Sequence, residues 1–361
     1  MNNREPLLRL FYIAKEVACV PRKTVMNDIT SPELINNINP KNAQLVRDYL
    51  SYLKSVQRSE TTIRAYENDL EIAMVWCLLH NDNKFFVEWT KRNIVAYQNW
   101  LIDVNKNSPA RVRRLKATLS SLSNYIMNIC DDEYPNFRNI INRVENPVNQ
   151  PVREKTILSD EQIDVLLAHL VAKKKYDKAC MVALAVCSGR RKSELVRFKV
   201  DYFKDENLIC EGALYKTSEK IKTKGRGVNG KQIYCYTLAK KFKPYFDLWV
   251  KYRIDNHIDS EWLFPMKGDM TRHMSSTTLN SWSISFGKIL GVDFYFHSLR
   301  HAWTTGLIRA GLPETVIKEL AQWTNLDMVA IYNDCDAEEQ FANYFKGGDI
   351  NAQPAKTLND L

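Results

Sequence analysis

Between Lys41 and Arg143 the apolar residues recur at helical spacing throughout, and residues 145–156 then carry Pro147 and Pro151 with no period at all. A stretch patterned only for helices has no strand with which to build a sheet. It must bury helical stripes against one another, and the proline-bearing segment reads as the linker to a separate domain. One helix is expected to begin near Ser59-Glu-Thr-Thr, with Ile63, Tyr66, Leu70 and Ile72 or Ala73 inward. Another starts after Thr90, a hydroxyl residue suited to capping free N–H groups. A third opens at Ser108-Pro109, a cap followed by proline at the first helical position, and carries Val112, Leu115, Leu119, Leu122 and Ile126 at core spacing. Its other faces show Arg111, Arg113, Arg114 and Lys116. Those four charges suit a solvated face or a phosphate-contacting surface.

A second domain is signalled by Ser159-Asp-Glu-Gln162, a capping-box pattern ahead of Ile163, Leu166, Leu167 and Leu170. It reads as helical apart from a β region between Asn207 and Leu238. Gln232 to Leu238 is one strand-like run there, and Gly225, Gly227, Asn229 and Gly230 form a turn before it. The predicted organisation is an N-terminal helical extension (1–40), a helical domain (41–143), a linker (144–157), an α+β domain (158–345) and a tail (346–361). The fold class is mainly α with a small β-sheet. In the extension, Leu7, Leu10, Phe11, Ala14 and Val17 form a helical stripe, and five basic residues face four acidic ones. That balance favours packing over an independent DNA-binding arm.

With 361 residues, 45% of them hydrophobic, the chain can bury a sizeable core, and its net charge of +9 favours polyanionic partners. Eight cysteines are scattered without a C-x-x-C pair or matching histidines, so neither a zinc site nor a disulfide framework is expected. The apolar stretch from Leu7 to Val20 is interrupted by Arg9, Lys15 and Glu16, which argues against a signal core or a membrane span. A cytoplasmic location with no membrane association is the expectation.

Three clusters carry chemistry. In His297-Ser-Leu-Arg300-His301, two imidazoles and a guanidinium fall at i, i+3 and i+4 on one helical face. A guanidinium fork offers paired donors to phosphoryl oxygens, and an imidazole moves protons near neutral pH. In Ser188-Gly-Arg-Arg-Lys-Ser-Glu-Leu195 an apolar run ends in glycine and two arginines before a new helix. The third cluster is a lysine-rich hairpin from Lys216 to Lys231.

In order and spacing these clusters resemble the tyrosine recombinase (phage integrase) family over residues 41 to 345. Gly189-Arg190-Arg191-Lys192-Ser193-Glu194-Leu195 resembles the family's G-x-R-x-S-E-L pattern, His297 to Arg300 its H-x-x-R box, and Trp323 stands nine residues before Tyr332, the spacing of its histidine or tryptophan before the nucleophile. Trp323-Thr-Asn325 is similar to Cre-like members. Ala321-Gln322 departs from the usual Leu-Gly. The paired arginines leave a one-residue register ambiguity, and Lys216, Lys220, Lys222 and Lys224 compete for the hairpin lysine. Thr223-Lys224-Gly225 resembles the family's T-K-x-G turn, which favours Lys224, then Lys222.

The resemblance implies a helical core-binding domain and an α+β catalytic domain. Arg191 and Arg300 would hold the scissile phosphate, Tyr332 attack it, Lys224 protonate the leaving 5′ oxygen, His297 assist proton transfer from the phenol, and Trp323 donate its indole N–H. Glu194 and His301 would support the site, and Arg111, Arg113, Arg114, Lys116 and Lys222 would touch DNA. It implies double-stranded DNA as partner, a homo-oligomer on DNA reaching a tetramer in the synapse, no metal and no cofactor. Accessory DNA-bending or directionality proteins remain an open class of partner. Phe341, Tyr344 and Phe345 would pass to a neighbouring subunit or fold back in cis. An integrase or transposase of a mobile element is the leading expectation. The alternatives are a Xer-like dimer resolvase and a non-catalytic DNA-binding protein on the same fold.

Overall fold

The computed structural model describes residues 29–148, 156–223 and 230–335, together with the backbone of 345–346 and 349–350. The stripe from Leu7 to Val17, Lys224, and the side chains of Phe341, Tyr344 and Phe345 lie outside the described residues. The described chain forms two compact units, one before the proline-bearing segment and one after it.

The first unit is helical. Helices α1 (Pro32–Asn36), α2 (Pro40–Ser55), α3 (Glu60–His80), α4 (Lys91–Asn99) and α5 (Pro109–Ile129) are joined by short connections, with a π-helical stretch, Trp100–Val104, continuing α4. Their starts follow local chemistry. Ser59 accepts from the Thr62 N–H at 3.2 Å, Thr90 and Asn93 form a reciprocal capping box, and Ser108 accepts from the Arg111 N–H ahead of Pro109. Leu70, Ile94, Leu101, Leu119, Leu122 and Ile126 are wholly buried.

One polar group lies inside this core. Asp69 of α3 is 1% exposed, and its carboxylate meets Arg111 Nη1 at 2.7 Å and Arg114 Nε at 3.3 Å while accepting from the Thr118 hydroxyl at 3.1 Å. A carboxylate buried among apolar side chains is tolerated only when its oxygens are paired in this way. Arg111 and Arg114 of the basic turn of α5 are therefore drawn toward their own domain.

The second unit begins with α6 (Asp160–Ala172), for which Ser159 and Gln162 form the expected capping box, and α7 (Tyr176–Ser188), which is buried almost all round. After α8 (Lys192–Leu195), strands β1 (Leu208–Ile209), β2 (Leu214–Lys216), β3 (Ile221–Lys222), β4 (Gln232–Ile233) and β5 (Tyr236–Leu238) lead into α9 (Ala239–Asp255). A hairpin of β6 (Pro265–Met266) and β7 (Asp269–His273) precedes α10 (Thr278–Leu290), α11 (Phe296–Arg309), α12 (Glu314–Ala321) and α13 (Asp327–Tyr332). The backbone of β8 (Phe345–Lys346) and β9 (Asp349–Ile350) pairs antiparallel. No described helix is long and apolar enough to cross a membrane.

Within the β region, the stretch from Gln232 to Leu238 differs from the single run expected of it. The 232–238 segment is split between two sheets: β4 pairs with β3 through Ile221 and Ile233, whereas β5 joins β2 and β1 through Leu214 with Leu238 and Tyr215 with Thr237. The break falls at Cys235, whose N–H goes to the Thr217 hydroxyl at 3.1 Å rather than to a ladder carbonyl. The β6–β7 hairpin carried no sequence signal, because β7 is largely exposed and lacks apolar alternation.

Two apolar clusters fill this unit. The larger surrounds α7; the smaller joins the second half of α11 to α12 and α13 through Trp303, Leu307, Ile317, Leu320, Trp323, Val329 and Tyr332. Asp69→Ala should lower the unfolding free energy of the first unit by about 2–3 kcal/mol by removing a paired buried carboxylate. Arg113→Ala, at an exposed position, should leave it nearly unchanged. Denaturant titration of both variants checks this, and equal stabilities would contradict the structural role of Asp69.

Candidate active site

The site is assembled where α7 ends. Gly189 adopts φ +59°, and a Cβ there would lie 2.4 Å from the Trp303 ring, so both the left-handed turn and the close approach require glycine. Its carbonyl accepts from Arg300 Nη1 at 2.8 Å. The next two residues part company. Arg190 is 1% exposed and donates to the carbonyls of Ala321, at 3.1 Å, and Leu320, which ties the end of α12 to the end of α7. Arg191 is half-buried and lies on a cleft, about 290 Å³ in volume, lined also by Thr223, Lys231, Gln322, Trp323 and Thr324. The adjacent arginines thus face opposite ways, one inward to carbonyls and one toward open space.

Glu194 lies beneath Arg191. Its carboxylate accepts from the Arg191 N–H at 3.1 Å, faces Arg191 Nη1 at 3.3 Å and accepts from the Thr223 hydroxyl. Burial pushes this carboxyl up, but the Thr223 hydrogen bond and the charges of Arg190 and Arg191 outweigh it and hold the group below the usual carboxylate range. It stays ionised at neutral pH and fixes the segment that presents Arg191.

Helix α11 brings His297, Arg300 and His301 to the same place. Arg300 and His301 are buried, whereas His297 is exposed at the mouth. The Arg300 guanidinium stands 4.9 Å from the ring centroids of both Trp323 and Tyr332, and those two rings stack 5.1 Å apart at 13°. The Tyr332 ring also meets His297 at 5.2 Å and His301 at 4.7 Å. Burial, and then the neighbouring Arg191 charge, lowers the Arg300 pKa to about 10, which leaves it charged at neutral pH. Arg300 Nε and Nη2 and Trp323 Nε1 are buried without a hydrogen-bond acceptor. Three orphaned donors around a phenol form an incomplete polar shell that suits an anionic oxygen ligand.

Gln322 explains how the departure from Leu-Gly is accommodated. It takes the left-handed conformation, φ +55°, after α12, and holds it as a non-glycine residue at a cost of roughly 1 kcal/mol. Lys231 Nζ reaches the Gln322 carbonyl and the Thr324 hydroxyl, both at 3.4 Å. Sequence reasoning singled out neither Lys231 nor Thr223, although Thr223 stands inside the quoted Thr-Lys-Gly turn. Lys224 lies outside the described residues. Lys222 is exposed on β3, with its carbonyl accepting from Arg197 Nη1 at 2.8 Å.

The basic residues of α5 do not act as one surface. Arg111 and Arg114 pair with Asp69, and Arg113 is exposed with Nη1 3.4 Å from the Pro147 carbonyl. The expectation for Lys116 is corrected. It is 2% exposed, its ammonium donates to Gln98 Oε1 at 2.6 Å and to the carbonyls of Val144 and Glu145 at 2.9 and 3.1 Å, and burial lowers its pKa. An ammonium enclosed by three acceptors is not available to a phosphate in this arrangement.

Because the Glu194 pKa is depressed in the fold, the stability it contributes is complete above the ordinary carboxylate range and is lost as pH falls through the folded-state value. Glu194→Gln should therefore lower stability at neutral pH and flatten the decline in melting temperature on acidification. Parallel acid limbs for the two proteins would contradict the assignment.

A model of the Phage integrase family matches residues 156–339. The SPbeta prophage-derived recombinase-like protein YomM of Bacillus subtilis is 25% identical over 253 residues, which span 69% of this chain and 72% of that protein. Tyrosine recombinase XerA of Pyrococcus horikoshii is 24% identical over 294 residues, 81% of this chain and 89% of the relative. Among solved structures, a lambda integrase dimer bound to a COC' core site superposes with a TM-score of 0.58 at 15% identity, covering 87% of this chain and 99% of that one. That likeness is one of fold.

Proposed function

The chain belongs to the phage integrase family, and from that premise we propose that it is a site-specific DNA recombinase that cuts and rejoins strands through a 3′-phosphotyrosyl bond to Tyr332. The observation that carries this reading is the set of buried, unpaired donors on Arg300 and Trp323 beside the Tyr332 ring. A phosphodiester resists attack because charge builds on its nonbridging oxygens and the alkoxide leaves poorly. Arg191 and Arg300 hold those oxygens, and Trp323 adds its indole N–H in the manner of Cre-like members.

The phenol oxygen of Tyr332 attacks phosphorus, and His297, exposed at the mouth of the site, takes up the phenolic proton. The bond from phosphorus to the 5′ oxygen breaks, with Lys224 supplying the proton to the leaving group. A 5′ hydroxyl from another strand reverses these steps and reseals the backbone. Glu194 keeps Arg191 in place by the contacts described above.

The first unit serves as the core-binding domain that grips double-stranded DNA, with the exposed Arg113 of α5 in contact and Arg111, Arg114 and, from the catalytic unit, Lys222 in support. Recombination between two sites calls for four active centres, so the working form is a homo-oligomer on DNA, a tetramer in the synapse. The prophage origin of YomM favours a mobile-element integrase or transposase over a resolvase. Sequencing the DNA flanking the gene separates the two: terminal repeats and mobility genes mark the mobile-element enzyme, and their absence a Xer-like resolvase.

Tyr332→Phe should retain DNA affinity and form no covalent adduct on a nicked suicide substrate, with wild-type trapping unaffected by chelators. Arg300→Ala should slow trapping on the order of a hundred- to a thousandfold through loss of a transition-state donor. Adduct formation by the Tyr332 variant, read on a denaturing gel, would overturn the reading.

A further inference from the structure

We infer that His301 is a positioning residue: through Asp334 and Thr305 it clamps the end of α13 and so holds the Tyr332 ring against Arg300 and Trp323. This rests on Tyr332 being the nucleophile. Helix α13 has six residues, and no side chain caps its N-terminal end. A helix this short has little stability of its own, so tertiary contacts must fix its last residue, Tyr332.

Those contacts come from α11. The Thr305 hydroxyl donates to the Tyr332 carbonyl at 3.4 Å and accepts from the Asp334 N–H at 3.1 Å, bridging the backbone on either side of Asn333. The Asp334 side chain, 3% exposed, turns back so that Oδ2 lies 3.2 Å from His301 Nδ1, on an imidazole 7% exposed. A buried carboxylate at that distance is compensated by the imidazole it faces, which can present an Nδ1–H to it. His301 is one turn before Thr305 on the same helix, so the two residues grip one three-residue segment from a single rigid face. Around the imidazole lie, among others, the His297 ring at 5.4 Å, the Tyr332 ring at 4.7 Å and Asp334. With Nδ1 facing Asp334, this imidazole orients the phenol, and the exposed His297 is the one assigned to proton exchange with it. Position matters here because small displacements of a reacting group are costly in rate.

The full-length protein, trapped on a nicked suicide DNA, tests this with His301→Gln, Asp334→Asn and the double variant. Each single change should slow adduct formation roughly ten- to a hundredfold, leave DNA affinity unchanged, and the double should be no slower than the worse single. The deficit should persist when the 5′ bridging oxygen is replaced by sulfur, whose departure needs no added proton. Wild-type rates for Asp334→Asn, multiplicative losses in the double variant, or recovery on the sulfur substrate would overturn the proposal, the last by making His301 a proton donor to the leaving group. Asp334→Asn is nearly isosteric and carries the test if His301→Gln fails to fold. An adduct with Tyr332→Phe would instead overturn the recombinase reading on which the inference stands.

Discussion

The buried bond from Arg300 to the Gly189 carbonyl is the constraint on which the site depends. It joins the end of a largely buried helix to the second turn of α11, and it commits a guanidinium to the interior while leaving two of its nitrogens unpaired. Burying such a charge is unfavourable unless its surroundings compensate. Here one nitrogen is satisfied by backbone, two aromatic rings cover the guanidinium face, and the remaining donors point where an anion completes the shell. Gly189 makes this possible, since any side chain there would displace Trp303 and move α11 with it.

Arg190 performs the complementary task. By donating to the last carbonyls of α12 it sets where Trp323 begins, and the stacking of Trp323 on Tyr332 then sets the phenol. The two arginines of a consecutive pair therefore do unlike work: one organises the backbone and the other, braced by Glu194, faces the cleft. Rigid placement of donors ahead of the reaction is what allows them to stabilise developing charge without reorganising.

Much of this was legible in the sequence because the signals were local. Ser59, Thr90, Ser108 and Ser159 mark helix starts through hydrogen bonds within a few residues, and the core spacing of α5 follows from its helical period. The cluster of His297, Arg300, His301, Trp323 and Tyr332 was visible through order and spacing, and these side chains do meet in space. What escaped was long-range. Asp69 looks like any helix-surface aspartate until Arg111, more than forty residues later, is seen to fold onto it. Lys116 shares a basic turn with Arg113 yet points inward to the carbonyls of Val144 and Glu145. The choice between Arg190 and Arg191 likewise depended on α12, far along the chain, and Asp334 gave no sign of its role because its partner lies on α11, more than thirty residues earlier.

The most direct test of the account is the chemical identity of the trapped protein–DNA bond. Wild-type protein held on a nicked substrate, digested with protease and nuclease and analysed by mass spectrometry, should yield a peptide with a single nucleotide joined through its 3′ phosphate to Tyr332. A nucleotide on another residue, or a bond through a 5′ phosphate, would contradict it.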